Sequence, residues 1–292
     1  MKRILVPCDF SANARNAYTF ALDIAKRNNA EVFVLHVIDF PVMYDYEMPM
    51  AMSPELWKEW EAEVAKQFKA LKQEHTYQSD ITFRTLAGSV SMSILNFIKA
   101  ERIDLVVMGT KGTSGFIQDM IGSNTEKIVR YAEVPVLAIR RAVNLSSIKN
   151  ILVPTTLSMG QANFISHLKE LQAFFDAKLH LLVIDTPHNM QRSADQYKQF
   201  EGYIKHYQIR NCTMNIRNGF REEDEILGFA KEKPADMIAM ATHGRRGLAH
   251  VFKGSVTEDV VNHVDCPIWT FPLRSKTIQT EHATEQSKRE TV

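Results

Sequence analysis

The sequence predicts an α/β protein made of two tandem domains, each built on a five-stranded parallel sheet flanked by helices. Three observations carry that reading. The 292-residue chain is long enough for two domains of ordinary size. Its second half repeats the first block by block. Within each half, short apolar runs alternate with helical patterns.

The repeat begins with "KRILVPCDFS" at Lys2, which recurs as "KNILVPTTLS" at Lys149. "EVFVLHVID" (Glu31 to Asp39) recurs as "KLHLLVID" (Lys178 to Asp185), and "IDLVVMGTKG" recurs as "ADMIAMATHG". "EVPVLAIR" (Glu133 to Arg140) is answered by "DCPIWTFP" (Asp265 to Pro272). A period this long means two whole domains, not a solenoid. The offset is 147 residues from Lys2 to Lys149 and 132 from Gly109 to Ala241, so the first half holds an insertion of about fifteen residues after Asp39.

Ile4–Val6, Val32–Val37, Leu105–Met108 and Val136–Ile139 are apolar at nearly every position. Strands buried on both faces of a parallel sheet read this way. From Ser11, a capping residue, Ala14, Tyr18, Ala21, Leu22 and Ala25 recur at helical spacing. Ser53-Pro54-Glu55 opens another helix, whose stripe is Leu56, Trp60, Val64, Phe68 and Leu71. These units predict about five strands and four helices per half, with domains at residues 1–141 and 148–273. The polar, aperiodic residues 274–292 read as a flexible tail.

Composition narrows the function. The chain is 45% hydrophobic and 24% charged with a formal net charge of +1, so no global field recommends nucleic acid or an anionic membrane. Cys8, Cys212 and Cys266 form neither a disulfide framework nor a CxxC knuckle. The apolar run after Lys2 and Arg3 stops at Pro7, too short for a signal peptide, and no stretch is long enough to span a bilayer. A cytoplasmic protein is expected.

Parallel sheets bind ligands beyond the carboxyl ends of their strands. Asp9 falls at such an end, and the fourth strand runs straight into "GTKGTSGFIQDMIGSN" (Gly109 to Asn124). Gly109 and Gly112 permit positive φ and close backbone approach, and Gly122-Ser123 precedes a helix with unpaired first-turn N–H groups. A glycine turn beside a helix N-terminus makes a phosphate cradle. Asp9, acceptor-only when ionised, suits a ribose hydroxyl or an exocyclic amine. The combination suggests a nucleotide, although glycines after a strand also serve simply as turns. Neither a Walker A loop nor a GxGxxG fingerprint is present.

The pattern resembles the universal stress protein family, in its tandem-domain form. The family's ATP-binding signature, G-x2-G-x9-G-[S/T], is matched by Gly109, Gly112, Gly122 and Ser123, and "ILVPCDFS", "LHVID" and "VPVLAI" are also family-like. The resemblance covers residues 1 to about 141 and about 148 to 273. It implies Rossmann-like sheets in the order 3-2-1-4-5 and a site in the first half for ATP, with Mg²⁺ brought by the ligand. Asp9, beside Pro7 and Cys8, would take base or ribose, and backbone groups of Val37 the adenine. Gly109, Gly112, Gly122, Ser123 and Asn124, next to Met108, would hold the triphosphate. Lys111 either adds charge there or is a solvated loop lysine.

The second half keeps Gly244, Gly254 and Ser255 but has Ala241 for the first glycine and Thr156 for Asp9. Arg245 and Arg246 either face phosphates or are surface charges. A weaker or vestigial second site is expected.

Catalysis is not. His36, His75, His180, His243 and His263 lack metal-ligand spacing, Cys8 reads as inert packing, and no general base presents itself. The expected role is an ATP-binding stress-response regulator with at most feeble turnover. An interaction scaffold independent of nucleotide and a slow hydrolase remain alternatives. The Met-rich insertion after Asp39 either covers its own fold or serves as a lid or docking surface. The apolar fifth strands, Val136–Ile139 and Ile268–Phe271, need their edges hidden. The resemblance implies pairing across a two-fold axis, which the short linker "RAVNLSS" permits within one chain, with homodimerisation also open.

Overall fold

The computed structural model describes residues 1–39, 53–74, 80–110, 122–187, 193–233, 235–242 and 256–273. The first half runs β1 (Arg3–Pro7), α1 (Ala12–Asn28), β2 (Glu31–Ile38), α2 (Pro54–Gln73) and β3 (Ile81–Ala87). It continues with α3 (Val90–Ala100), β4 (Leu105–Gly109), α4 (Ser123–Tyr131) and β5 (Val136–Ile139). After a 3-10 turn at Leu145–Ser147, the second half runs β6 (Asn150–Pro154), α5 (Ala162–Phe175), β7 (Lys178–Asp185), α6 (Ser193–Tyr207) and β8 (Cys212–Asn218). It ends with α7 (Glu222–Glu232), β9 (Met237–Thr242), α8 (Val256–His263) and β10 (Ile268–Pro272).

The ten strands form one sheet in the order β3-β2-β1-β4-β5-β10-β9-β6-β7-β8. Each half is parallel in the order 3-2-1-4-5, and the halves meet where β10 pairs antiparallel with β5, Trp269 opposite Leu137. Both apolar fifth strands thus hide their edges against each other, as their composition required. Because direction reverses at this seam, the carboxyl ends of the two sets of strands emerge from opposite long edges of the sheet.

Alternation along buried strands builds two layers of core. Val32 and Val34 of β2 face α1 and α2, whereas Phe33 and Leu35 face α3. The first layer is continuous across the seam: Ile139, Trp269, Phe271 and Phe164 join one cluster with α1, α2, α5 and α6. The opposite layer is divided into a first-half cluster under α3 and α4 and a second-half cluster under α7 and α8.

Local chemistry sets the element boundaries. Ser11 caps α1 by accepting from the Ala14 N–H at 3.2 Å, and Ser53 caps α2 from Leu56 at 3.2 Å. Of the predicted α2 stripe, Val64, Phe68 and Leu71 are buried, Trp60 is half-buried and Leu56 is exposed, so only its C-terminal half meets the sheet. One clamp occurs in both halves. Asp104 accepts from the Lys2 and Arg3 N–H groups at 2.6 and 3.0 Å, and Asp236 from those of Lys149 and Asn150 at 3.0 and 2.8 Å. Each carboxylate ties the start of the central strand to the strand beside it.

The insertion of residues 40–52 and the tail 274–292 lie outside the described residues.

Candidate functional site

The first-half strand ends converge on three chain segments. β1 closes with the Cys8 N–H donating to the Leu35 carbonyl at 2.8 Å. His36 donates its Nδ1 hydrogen to the Cys8 carbonyl at 2.8 Å. Beyond this, Phe10 adopts a left-handed backbone (φ 61°) and the Asp9 carboxylate accepts from the Ser11 N–H at 3.1 Å. Asp9 is half-buried at the start of α1 and also shapes the turn that leads into the helix. Pro7 pairs with Leu35. Since residues alternate sides along a strand, the backbone groups of Val37 face the β1 side beyond the end of β1. Those of Ile38 face β3, where its carbonyl accepts from Gly88.

Cys8 is buried, and desolvation pushes its thiol up to about 12, which fits inert packing.

The fourth strand supplies the other wall. Met108 is buried beneath α3 and α4. Gly109 does not use the positive φ that glycine permits; among the described glycines only Gly88 does. Its role is close approach: a Cβ there would stand 2.8 Å from the Asn13 carbonyl carbon and 3.0 Å from the Ala14 nitrogen. The missing side chain seats the first turn of α1 on the end of β4.

Thr110 accepts from the Gly122 N–H at 2.8 Å, so the two ends of the glycine stretch are tied together. Thr125 donates to the Gly109 carbonyl at 2.9 Å and fixes α4 against the same strand end. Gly122, the N-cap, makes no side-chain cap bond, so among the described residues no side chain caps the first turn of α4 at Ser123 and Asn124. Glu126 lies in that turn and is the one charge there an anion would have to tolerate. The structure therefore brings together Pro7, Asp9, Val37, Gly109, Gly122, Ser123 and Asn124 at one sheet edge. Lys111 and Gly112 lie outside the described residues, as do Gly244, Arg245, Arg246, Gly254 and Ser255. Neither Thr110 nor Thr125 stood out in the sequence; the recurrence of both threonines at offset 132, as Thr242 and Thr257, was the available signal.

The second half is remodelled at the matching places. The left-handed cap residues Asn29 and Asp176 keep the offset of 147, yet α1 has 17 residues and α5 has 14. The missing turn is the first one. Residues 159–161 form a turn outside the helix, pinned by Tyr207, whose hydroxyl donates to the Met159 carbonyl and accepts from the Gln161 N–H. With no helical turn pressing on the end of β9, Ala241 can carry its methyl. Thr156 is exposed, and Thr155 takes over the turn by accepting from the Leu157 N–H at 3.1 Å.

The sequence profile of the Universal stress protein family matches residues 1–140 and 214–272, more than half of the chain. The chain belongs to the universal stress protein family. A universal stress protein of Methanocaldococcus jannaschii is 32% identical over 142 residues, covering 48% of this chain and 82% of that protein. Among solved structures, a universal stress protein from Archaeoglobus fulgidus superposes with a TM-score of 0.66 at 22% identity, covering 92% of this chain and 98% of its own. A functionally unknown protein from Pseudomonas aeruginosa does so with 0.67 at 16% identity, covering 93% and 92%. These two show the shared fold over nearly the whole chain. The family profile skips residues 141–213, the stretch that contains the shortened α5 and Thr156.

Among the described residues no cluster of three or more His, Cys, Asp or Glu side chains is arranged to hold a metal, and no helix is long and apolar enough to cross a membrane.

Proposed function

We propose that this universal stress protein binds ATP at the first-half sheet edge and reports its occupancy through conformation or a partner in the stress response. The observation that carries the reading is the Gly122–Thr110 hydrogen bond, which sets the uncapped N-terminus of α4 beside the strand ends bearing Asp9 and Val37. A helix N-terminus favours the phosphates, Asp9 the ribose or base, and backbone groups of Val37 the adenine. The buried Thr110 hydroxyl finds no partner among the described residues, as a pocket lined for a polar ligand would leave it. Mg²⁺ arriving with the triphosphate would offset the Glu126 charge.

In this reading, residues 1–141 form the nucleotide-binding domain. Residues 148–273 form a second domain whose site is weak or lost, because the α5 turn, the glycine and the acid have gone together. Gly112 and Lys111 would complete the phosphate loop. We read the protein as a binder with feeble turnover at most, cytoplasmic and able to dimerise.

Nucleotide stoichiometry tests this directly. Equilibrium dialysis and mass spectrometry of extracted ligand should find about one ATP per chain. No binding up to millimolar ATP would leave the scaffold reading standing. Two equal sites would overturn the account of Ala241 and Thr156. Steady turnover abolished by Gly122→Val would instead favour a hydrolase.

A further inference from the structure

Thr110 is only 5% exposed, and both of its backbone groups are bonded: its N–H donates to the Ile139 carbonyl at 3.0 Å and its carbonyl accepts from Gly122 at 2.8 Å. Its hydroxyl, however, is buried without a partner among the described residues. The repeat supplies an internal control. At the same offset of 132, Thr242 corresponds to Thr110 and Phe271 to Ile139. The Thr242 hydroxyl donates to the Phe271 carbonyl at 3.4 Å. The matching carbonyl is available in the first half, as its bond to the Thr110 N–H shows, yet the Thr110 hydroxyl makes no bond to it.

Strand alternation says which way the hydroxyl faces. Leu105 and Val107 belong to the α1 layer, and Gly109 abuts Asn13 of α1. Val106 and Met108 belong to the opposite layer with Ile128 and Val129 of α4. Thr110 continues that second series, so its side chain lies on the α4 side. There the Gly122 bond holds the open first turn of the helix against Thr110 itself. An unpaired buried hydroxyl is costly, and natural proteins keep few of them. A hydroxyl that finds no partner among the described residues, where Thr242 finds a carbonyl, and that lies beside an anion-favouring helix end is placed to donate to an anion there.

We propose that Thr110 is a phosphate-contacting residue of the first-half site, its hydroxyl donating to an anionic phosphate oxygen seated at the N-terminus of α4. This rests on the nucleotide reading above and adds a side chain that makes the site sense the phosphate chain rather than the nucleoside.

The test compares wild type, Thr110→Val and Thr110→Ser in titrations with ATP, adenosine and inorganic triphosphate, alongside melting without ligand. Thr110→Val should weaken ATP and triphosphate about tenfold, the size of a hydrogen bond to a charged group. Adenosine binding should stay within about twofold of wild type, and Thr110→Ser should restore ATP. Valine is nearly isosteric and removes an unsatisfied polar atom, so the ligand-free melting temperature should hold or rise. A hydroxyl with a purely structural role would lower it. Wild-type ATP affinity in Thr110→Val, or an equal loss for adenosine, overturns the role of Thr110 while leaving the site intact. Failure of wild type to bind ATP overturns the nucleotide reading and this proposal with it.

Discussion

A methyl group at residue 109 would meet backbone, not a side-chain tip that could swing away: 2.8 Å to the Asn13 carbonyl carbon, 3.0 Å to the Ala14 nitrogen. Gly109→Ala should therefore cost about 1–3 kcal/mol by overpacking, read as a lower midpoint in urea. Ala241→Gly, at the matching strand end, should cost only about 0.5–1 kcal/mol through backbone entropy. Equal effects would mean that the first turn of α1 does not decide the residue at 109. His180 offers a second residue-scale test. Its ring bonds the Thr213 hydroxyl at 2.8 Å and Asn150 Oδ1 at 3.0 Å. The Asn150 side chain donates its own N–H to Asp236, which turns Oδ1 toward the ring, so His180 donates from Nε2. Burial, helped by Lys178 and Lys233 and opposed by Asp236, holds the imidazole below its ordinary 6.5. The unfolded chain then binds more protons than the folded one between the lowered value and 6.5. Stability from this group is thus complete above about 6.5 and falls as pH drops through that window. His180→Phe, which installs the residue found at the matching first-half position, Phe33, should flatten the fall in stability as pH drops below about 6.5.

At the scale of elements, α1 and α5 are the same helix with and without its first turn. Ser11→Ala removes the cap of the longer one and should lower stability by about 1 kcal/mol in chemical denaturation. Ser158→Ala, at the matching position, should change it by no more than a few tenths, because the α5 N-cap is Gln161, not Ser158, and it makes no side-chain cap bond. This pair also shows what a sequence can disclose. Ser11 and its apolar followers mark a helix start because capping is local chemistry. Ser158 keeps the serine in alignment, yet the helix begins later because Tyr207, reaching from α6, binds the turn at Met159–Gln161. That contact joins residues 46 and 48 apart, and no periodicity reports it. For the same reason the spacing of Gly109 identified a strand-end glycine but not its neighbour: a glycine that admits a ligand and one that admits a helix look alike along the chain. The upper stripe of α2 misled differently, since helical spacing marks a face without saying how far the sheet beneath it extends.

At the scale of the molecule, the repeat, the parallel halves and the need to hide the fifth strands were all legible, because apolar runs and offsets survive translation into sequence. What joins the halves was less so. Thr270 donates to the Val136 carbonyl across the seam at 3.3 Å, and Arg140, at the end of β5, donates to the Asn262 and Val264 carbonyls at the end of α8. Residue 272, which corresponds to Arg140, is proline, so this grip is one-sided. A chain ending at residue 147 would lack β10 and leave β5 with a bare apolar edge. Light scattering should find it dimeric, re-forming the seam between two copies; a stable monomer would mean that the seam is not what the fifth strands require.

The reversal of direction at β5 and β10 also governs what the protein can be asked to relay. A nucleotide at one long edge and a macromolecule at the other cannot collide, so neither can evict the other by crowding. Any influence between them has to pass through the shared sheet and the core layer that runs across the seam, where the Arg140 grip on α8 is one of several contacts. A partner whose affinity changes with nucleotide would therefore be a sensor of sheet geometry.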